Sequence, residues 1–207
     1  IGAGPSSVLR FIISSLYRFI LLIFPMVFCI LRGNGLIARY TDRGSMVTLL
    51  AAPVKRRTVA ITQMSVLVSG VLLLVIYATG LEFAMAETCF PGELAIWELL
   101  KLNTALLCLH LLIGSICFFA SCVFSDTKYS IALGAGVPAL MYILQMLANA
   151  GDQADKIRYF TFFTLFDAEG MAAGENSAVM GMLALFIGAA AFYAAGIRAF
   201  CRKDLHI

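Results

Sequence analysis

The sequence predicts an all-α membrane protein, a single transmembrane domain over residues 1–207 with five membrane-spanning helices. Hydrophobic residues make up 61% of the chain and charged ones only 13%, with a mean hydropathy of +0.94. Soluble domains carry about 25% charged residues, so too few polar groups remain to coat a soluble globule of this size. Four runs, residues 58–81, 102–125, 129–151 and 176–197, contain no Asp, Glu, Lys or Arg. Each exceeds the roughly 20 apolar residues with which a helix crosses the hydrocarbon core. A fifth run, 11–31, qualifies apart from Arg18. The five helices are expected at about 8–31, 58–81, 100–125, 129–150 and 176–198.

The charges between these runs orient them, because short cytoplasmic loops are rich in Lys and Arg. Arg32, Arg39, Arg43, Lys55, Arg56 and Arg57 face one acid, Asp42, and the tail sets Arg198, Arg202 and Lys203 against Asp204. Both belong inside, so the C-terminus is expected in the cytoplasm. Loop 82–99 carries Glu82, Glu87, Glu93 and Glu98. Loop 151–175 carries Asp152, Asp155, Asp167, Glu169 and Glu175 against Lys156 and Arg158. Both belong outside. A tight inside turn at 125–128 completes the alternation. It places Ile1 outside, although the chain starts without Met and has no basic, apolar and small-residue pattern of a signal peptide. Six spans are therefore expected in the intact protein, with the first one missing here; a processed five-helix protein is the alternative.

Motifs for soluble chemistry fail one by one. The opening IGAGPSS starts like a dinucleotide loop, but Ser7 replaces the third Gly and a membrane span follows instead of a βαβ unit. No G-x-x-x-x-G-K-S/T, G-x-S-x-G or H-E-x-x-H string occurs, and the only histidines, His110 and His206, lie on different elements. No metal site is expected. The six cysteines form no CxxC pair; four lie in apolar runs, where Cys behaves as a small hydrophobe, and no structural disulfide is expected. The basic cluster flanks membrane spans, so anionic lipid headgroups explain it without nucleic acid.

Polar residues within spans face a cavity or the bundle interior more often than lipid. Arg18 either snorkels to the outer surface or belongs to a pathway. His110, and the pair Gln145 and Asn149 one turn apart, read as interhelical hydrogen-bonding groups or as pathway contacts. Pro25 and the Gly134, Gly136, Pro138 group mark expected kinks. In the last span Gly181, Gly188, Ala191, Ala195 and Gly196 are expected to pack closely on a neighbour.

The inside segment 36–57 contains a candidate helix. Asp42 is suited to cap a helix beginning near Arg43. Met46, Leu49 and Leu50 then form an apolar stripe, and Pro53 ends it. Such a helix either lies on lipid or fits its apolar face into a groove on a soluble protein.

The run Asp42-Arg43-Gly44-Ser45-x-x-x-Leu49-Leu50-Ala51-Ala52-Pro53-Val54-x-Arg56-Arg57 resembles the D/E-x-G-S/T-x-x-x-L-L-A/S-x-P-I/V-x-R signature of ABC-2 type exporter permeases. The ending Phe200-Cys201-Arg202-Lys203-Asp204-Leu205 is similar to that family's F-x-x-R/K-D-L finish. Residues 125–166, with their inside turn and Gly/Pro-containing span, resemble its fourth turn to sixth helix. The resemblance extends over nearly the whole chain from about residue 8.

The resemblance implies a plasma-membrane subunit, bacterial in setting, with six helices, paired with a second permease chain that is identical or homologous. It also implies two copies of a cytoplasmic ABC ATPase, which would hold ATP and Mg; this chain itself would hold no cofactor and have no catalytic site. The coupling helix lies between the family's second and third spans and seats in a groove of the ATPase. Here that places the contact on Asp42, Arg43, Gly44, Ser45, Met46, Leu49, Leu50, Pro53 and Arg56, with Arg43 and Arg56 as ion-pair partners. The absence of a large outside domain suits a small hydrophobic or peptide-like cargo, such as an antibiotic, toxin or drug. The competing expectation is an ATP-independent membrane enzyme or scaffold subunit.

Overall fold

The structure, a computed structural model, describes residues 12–17, 19–42, 55–92, 94–149 and 160–203. Five helices are long and apolar enough to cross a membrane, and no strand occurs among the described residues. A π-helical turn at Ile13–Tyr17 precedes α1 (Ile20–Gly33) and the short α2 (Ala38–Asp42). Then come α3 (Arg56–Cys89), α4 (Ile96–Val123) and α5 (Thr127–Ala148). A 3-10 turn at Phe162–Leu165 and the short α6 (Ala168–Ala173) lead into α7 (Asn176–Arg202).

α4 is the centre of the bundle and touches α1, α3, α5 and α7, pairing most extensively with α7. Of its apolar window 78% is buried, against 22% for α5. Leu99, Leu102, Leu106, Leu109 and Ile113 are sealed along it. The outer helices each turn one stripe inward. On α5 it is Ser130, Gly134, Pro138 and Tyr142, one residue every helical turn. On α7 it is Ala178, Gly181, Leu185, Ala189, Tyr193, Gly196 and Phe200. The opposite faces leave Phe24, Leu73, Ile76, Leu140 and Ile187 exposed, as helix surfaces in contact with lipid must be.

Small residues set the close approaches. A side chain at Gly181 would collide with the Leu165 carbonyl, and one at Gly196 would sit 3.1 Å from the Phe118 ring. Gly188 lies against Leu112. Those three glycines of α7 pack as expected, whereas Ala191 and Ala195 face outward, because the buried stripe passes through Ala189 and Tyr193 instead.

The helices run through both prolines unbroken. Pro138 has no N–H for the Gly134 carbonyl one turn back, and the Cys117 thiol of α4 donates to that oxygen instead, at 3.0 Å. A polar group freed within the bilayer is thus satisfied by a neighbouring helix.

Two boundaries differ from expectation. The second span continues past Leu81 to Cys89, and the acidic loop expected over 82–99 narrows to the residues between α3 and α4. Glu82 does not end the helix because it points into the bundle, 5% exposed, where side chains from two other elements bind it. The first span, expected as one helix over 8–31, is divided among the described residues into the π-helical turn and α1. The wider turn ends in Tyr17, which is 2% exposed and stacks on Phe166.

The helix ends sort by charge. One face of the bundle gathers Arg32, Arg39, Lys55, Arg56, Arg57, Lys128, Arg198, Arg202 and Lys203, with Asp42 and Asp126 as its described acids. The opposite face gathers Glu82, Glu87, Glu98, Asp167, Glu169 and Glu175, with Lys101 as its described base.

Candidate functional site

The basic end of the bundle carries the segment between α1 and α3. Arg43, Gly44, Ser45, Met46, Leu49, Leu50 and Pro53 lie outside the described residues. Asp42, expected to cap a helix starting at Arg43, instead has helical backbone as the last residue of α2. Both flanks of the segment are fastened to the bundle. On the α1 side, the Ser121 hydroxyl of α4 accepts the Ile37 and Ala38 N–H groups at 3.0 and 2.9 Å and donates to the Asn34 carbonyl at 3.2 Å. The Asn34 side chain donates to the Ile30 carbonyl and accepts from Ser130 of α5. It lies where a side chain at Gly134 would stand, so glycine there makes room for it. On the α3 side, Arg56 donates to the Lys203 carbonyl at 2.8 Å, and the Lys203 ammonium reaches the Cys122 carbonyl at 3.4 Å. Burial lowers the Lys203 pKa from the ordinary lysine value, with Cys122 opposing. Arg56, expected as an ion-pair partner, is thus engaged by the end of α7.

Ser121 ties three backbone groups of one connection, all buried. Interhelical hydrogen bonds within membranes average about 0.6 kcal/mol, with a maximum near 1.7. Ser121→Ala is therefore expected to destabilise the bundle by about 1–2 kcal/mol and to speed amide exchange at Ile37 and Ala38. Hydrogen exchange in lipid nanodiscs measures it; unchanged protection at both amides would remove Ser121 as the fastener.

The expected pathway residues do not converge. His110 is fully buried at mid-length of α4, its Nε2 3.2 Å from the Leu22 carbonyl of α1 and its Nδ1 2.9 Å from the Leu106 carbonyl. It is placed as an interhelical tie. Gln145 accepts hydrogen bonds from Thr161 and Thr164 beside the 3-10 turn. Asn149 is exposed at the C-cap of α5. None of the three lines the groove between α3 and α4 or the one beside Arg32, Arg39 and Gln63 at the basic end, and Arg18 lies outside the described residues.

A buried polar cluster near the acidic end was missed from sequence. The Glu82 carboxylate accepts at Oε2 from the Tyr17 hydroxyl (3.0 Å) and from the Asn103 amide (2.8 Å). Glu82 Oε1 and Asn103 Oδ1 are buried without a partner. An unsatisfied buried acceptor costs about 1–3 kcal/mol, more when charged. Beside it, α3 and α4 enclose a groove of about 490 Å³ to which Asn103 contributes. One signal was available in the sequence: Val71, Val75, Glu82 and Ala86 share one helical face, so the stripe passes through the acid without a change of period.

Comparison with protein-family models, with curated proteins and with solved structures gives no match for this chain. What can be said of its role therefore rests on its residues and their arrangement.

Proposed function

We propose that this chain is the permease subunit of an ABC-type exporter, moving a small hydrophobic or peptide-like cargo out of the cell. A separate cytoplasmic ATPase, present in two copies with its ATP and Mg, drives the cycle, and a second permease chain completes the pathway. On this reading the basic end faces the cytoplasm of a plasma membrane and the intact subunit has six spans. The observation that carries the reading is the fastening of both flanks of the segment between α1 and α3 at the basic end. A docking helix transmits motion only if its flanks are rigidly joined to the spans it must move. Ser121 joins one flank to the central helix, and Arg56 joins the other to the end of α7. The signature that resembles the permease family begins after the first joint and includes Arg56, the second.

The test is purification of the tagged full-length protein from its native membrane in mild detergent, with mass spectrometry of what accompanies it. A P-loop ATPase is expected at close to equal amounts, absent when Leu49 and Leu50 are both Asp. A chain that purifies without an ATPase would overturn the exporter reading in favour of an ATP-independent role.

A further inference from the structure

The Tyr17, Glu82 and Asn103 cluster has no part in coupling, and its chemistry is one-sided. Glu82 is 5% exposed, Asn103 3% and Tyr17 2%. The Tyr17 hydroxyl and the Asn103 amide both donate to one carboxylate oxygen, Oε2, and the Asn103 amide also donates to the Leu99 carbonyl. The two atoms left over, Glu82 Oε1 and Asn103 Oδ1, are without a partner. With Glu82 ionised both are acceptors, so the cluster lacks a donor and its carboxylate favours a positive one.

The adjoining groove supplies the rest of a site. Its walls are Leu72, Ile76 and Phe83 of α3 with Leu100 and Leu107 of α4, and its volume of about 490 Å³ falls in the range of small-molecule sites. Three of its lining residues are polar: Thr79, Asn103 and Thr104. Both threonine hydroxyls already donate to their own helix, at the Val75 and Leu100 carbonyls. Asn103 is therefore the lining residue with an unmet acceptor, and Glu82 stands one hydrogen bond behind it. The groove's apolar length accepts a hydrocarbon or aromatic body, and its polar point accepts N–H.

We propose that this groove binds a lipophilic amine, its ammonium donating to Asn103 Oδ1 in front of the Glu82 carboxylate and its apolar body lying between α3 and α4. A desolvated amide oxygen backed by a carboxylate selects a protonated amine over an alcohol or a neutral amide, because hydrogen bonds to charged groups are the stronger ones. As the cargo of an exporter the amine rests on the function proposed above; as a ligand it does not, so binding is measured without any ATPase.

The full chain in phosphatidylcholine nanodiscs is titrated with dansylcadaverine, a fluorescent primary amine, and with its N-acetylated, uncharged form. Saturable binding of the amine is expected. Glu82→Gln is the isosteric neutral side chain and keeps an oxygen that accepts from Tyr17 and Asn103; an unchanged thermal midpoint checks that it folds. That variant is expected to weaken the amine by about tenfold or more, the loss of the carboxylate's attraction for the ammonium. Acetylation is expected to cost as much on the unaltered protein and nothing further on Glu82→Gln. Ile76→Trp, which fills the groove from its lipid-facing wall, is expected to abolish binding while Glu82 stays intact. Equal binding of amine and acetylated probe, or no effect of Glu82→Gln, would overturn the proposal, as would the absence of saturable binding. Displacement of the probe by phosphatidylethanolamine added to the nanodiscs, itself a primary amine on an apolar body, would support the same chemistry and identify a lipid headgroup as its source. If the amine binds but no ATPase accompanies the chain, the exporter reading fails and this one stands.

Discussion

If the chain is the proposed exporter subunit, changing Leu49 and Leu50 both to Asp is expected to reduce ATP-driven export to background while the chain still enters the membrane in normal amount. The two leucines, with Met46, have the i, i+3, i+4 spacing from which an apolar stripe is expected between α1 and α3. Burying one leucine in a partner's groove contributes about 1.5–3 kcal/mol. Removing two and placing two carboxylates in the same groove exceeds about 4 kcal/mol, a loss of roughly a thousandfold in affinity. The substitutions lie outside all five spans, so the hydropathy that drives insertion is untouched. Co-reconstituted proteoliposomes give the transport rate, and protease protection gives the topology. Leu49→Ala with Leu50→Ala should weaken coupling less than the acidic pair, since it removes contact without burying charge. Full transport by the double Asp variant would sink the coupling assignment.

The second large effect is expected at Gly33. A Cβ there would lie 2.5 Å from Cys117 Cβ and 3.6 Å from Leu67, so α1, α3 and α4 meet at this residue. Overpacking a well-filled core costs about 1–3 kcal/mol and occasionally more. Gly33 also precedes Asn34, so any displacement of α1 strains the bonds to Ser121 and Ser130. Gly33→Ala is expected to lower the thermal midpoint in detergent by several degrees, and Gly33→Leu to prevent assembly. Gly35→Ala is the control, because its nearest neighbours are 3.6 Å away. Adding Cys117→Gly to Gly33→Ala should recover part of the loss, less the bond from Cys117 to the Gly134 carbonyl. Equal midpoints for the Gly33 and Gly35 alanine variants would show that the helices do not meet as closely as described.

Particular residues show how far the sequence could be read. The four uncharged runs and the run holding Arg18 correspond to five long apolar helices, and Gly181, Gly188 and Gly196 point to the face on which α7 packs. The reading stopped short at Leu81 because it ended a span at the first acid. Glu82 escapes that rule since its carboxylate is bound by Tyr17 from far upstream and Asn103 from the next helix. Neither partner is adjacent in sequence. His110, Gln145 and Asn149 were polar residues in apolar surroundings, and that signal is blind to depth and rotation. One ties α4 to α1, one holds the 3-10 turn and one faces outward. The stripe of Met46, Leu49 and Leu50 lies outside the described residues, so only the joints on either side of it are described.

The sequence by itself determined the five helices long and apolar enough to cross a membrane among the described residues, the alternation of their ends and the gathering of basic charge on one face. Hydropathy and charge act segment by segment, and a bilayer reads them in the same way. The tertiary structure alone decided which helix is central. α3 and α4 are both apolar on every side, yet α4 is enclosed and α3 is mostly exposed. Lipid tails and a protein interior are equally apolar, so hydropathy cannot tell a face that meets one from a face that meets the other. Close packing at glycines and the pairing of distant polar atoms make that choice.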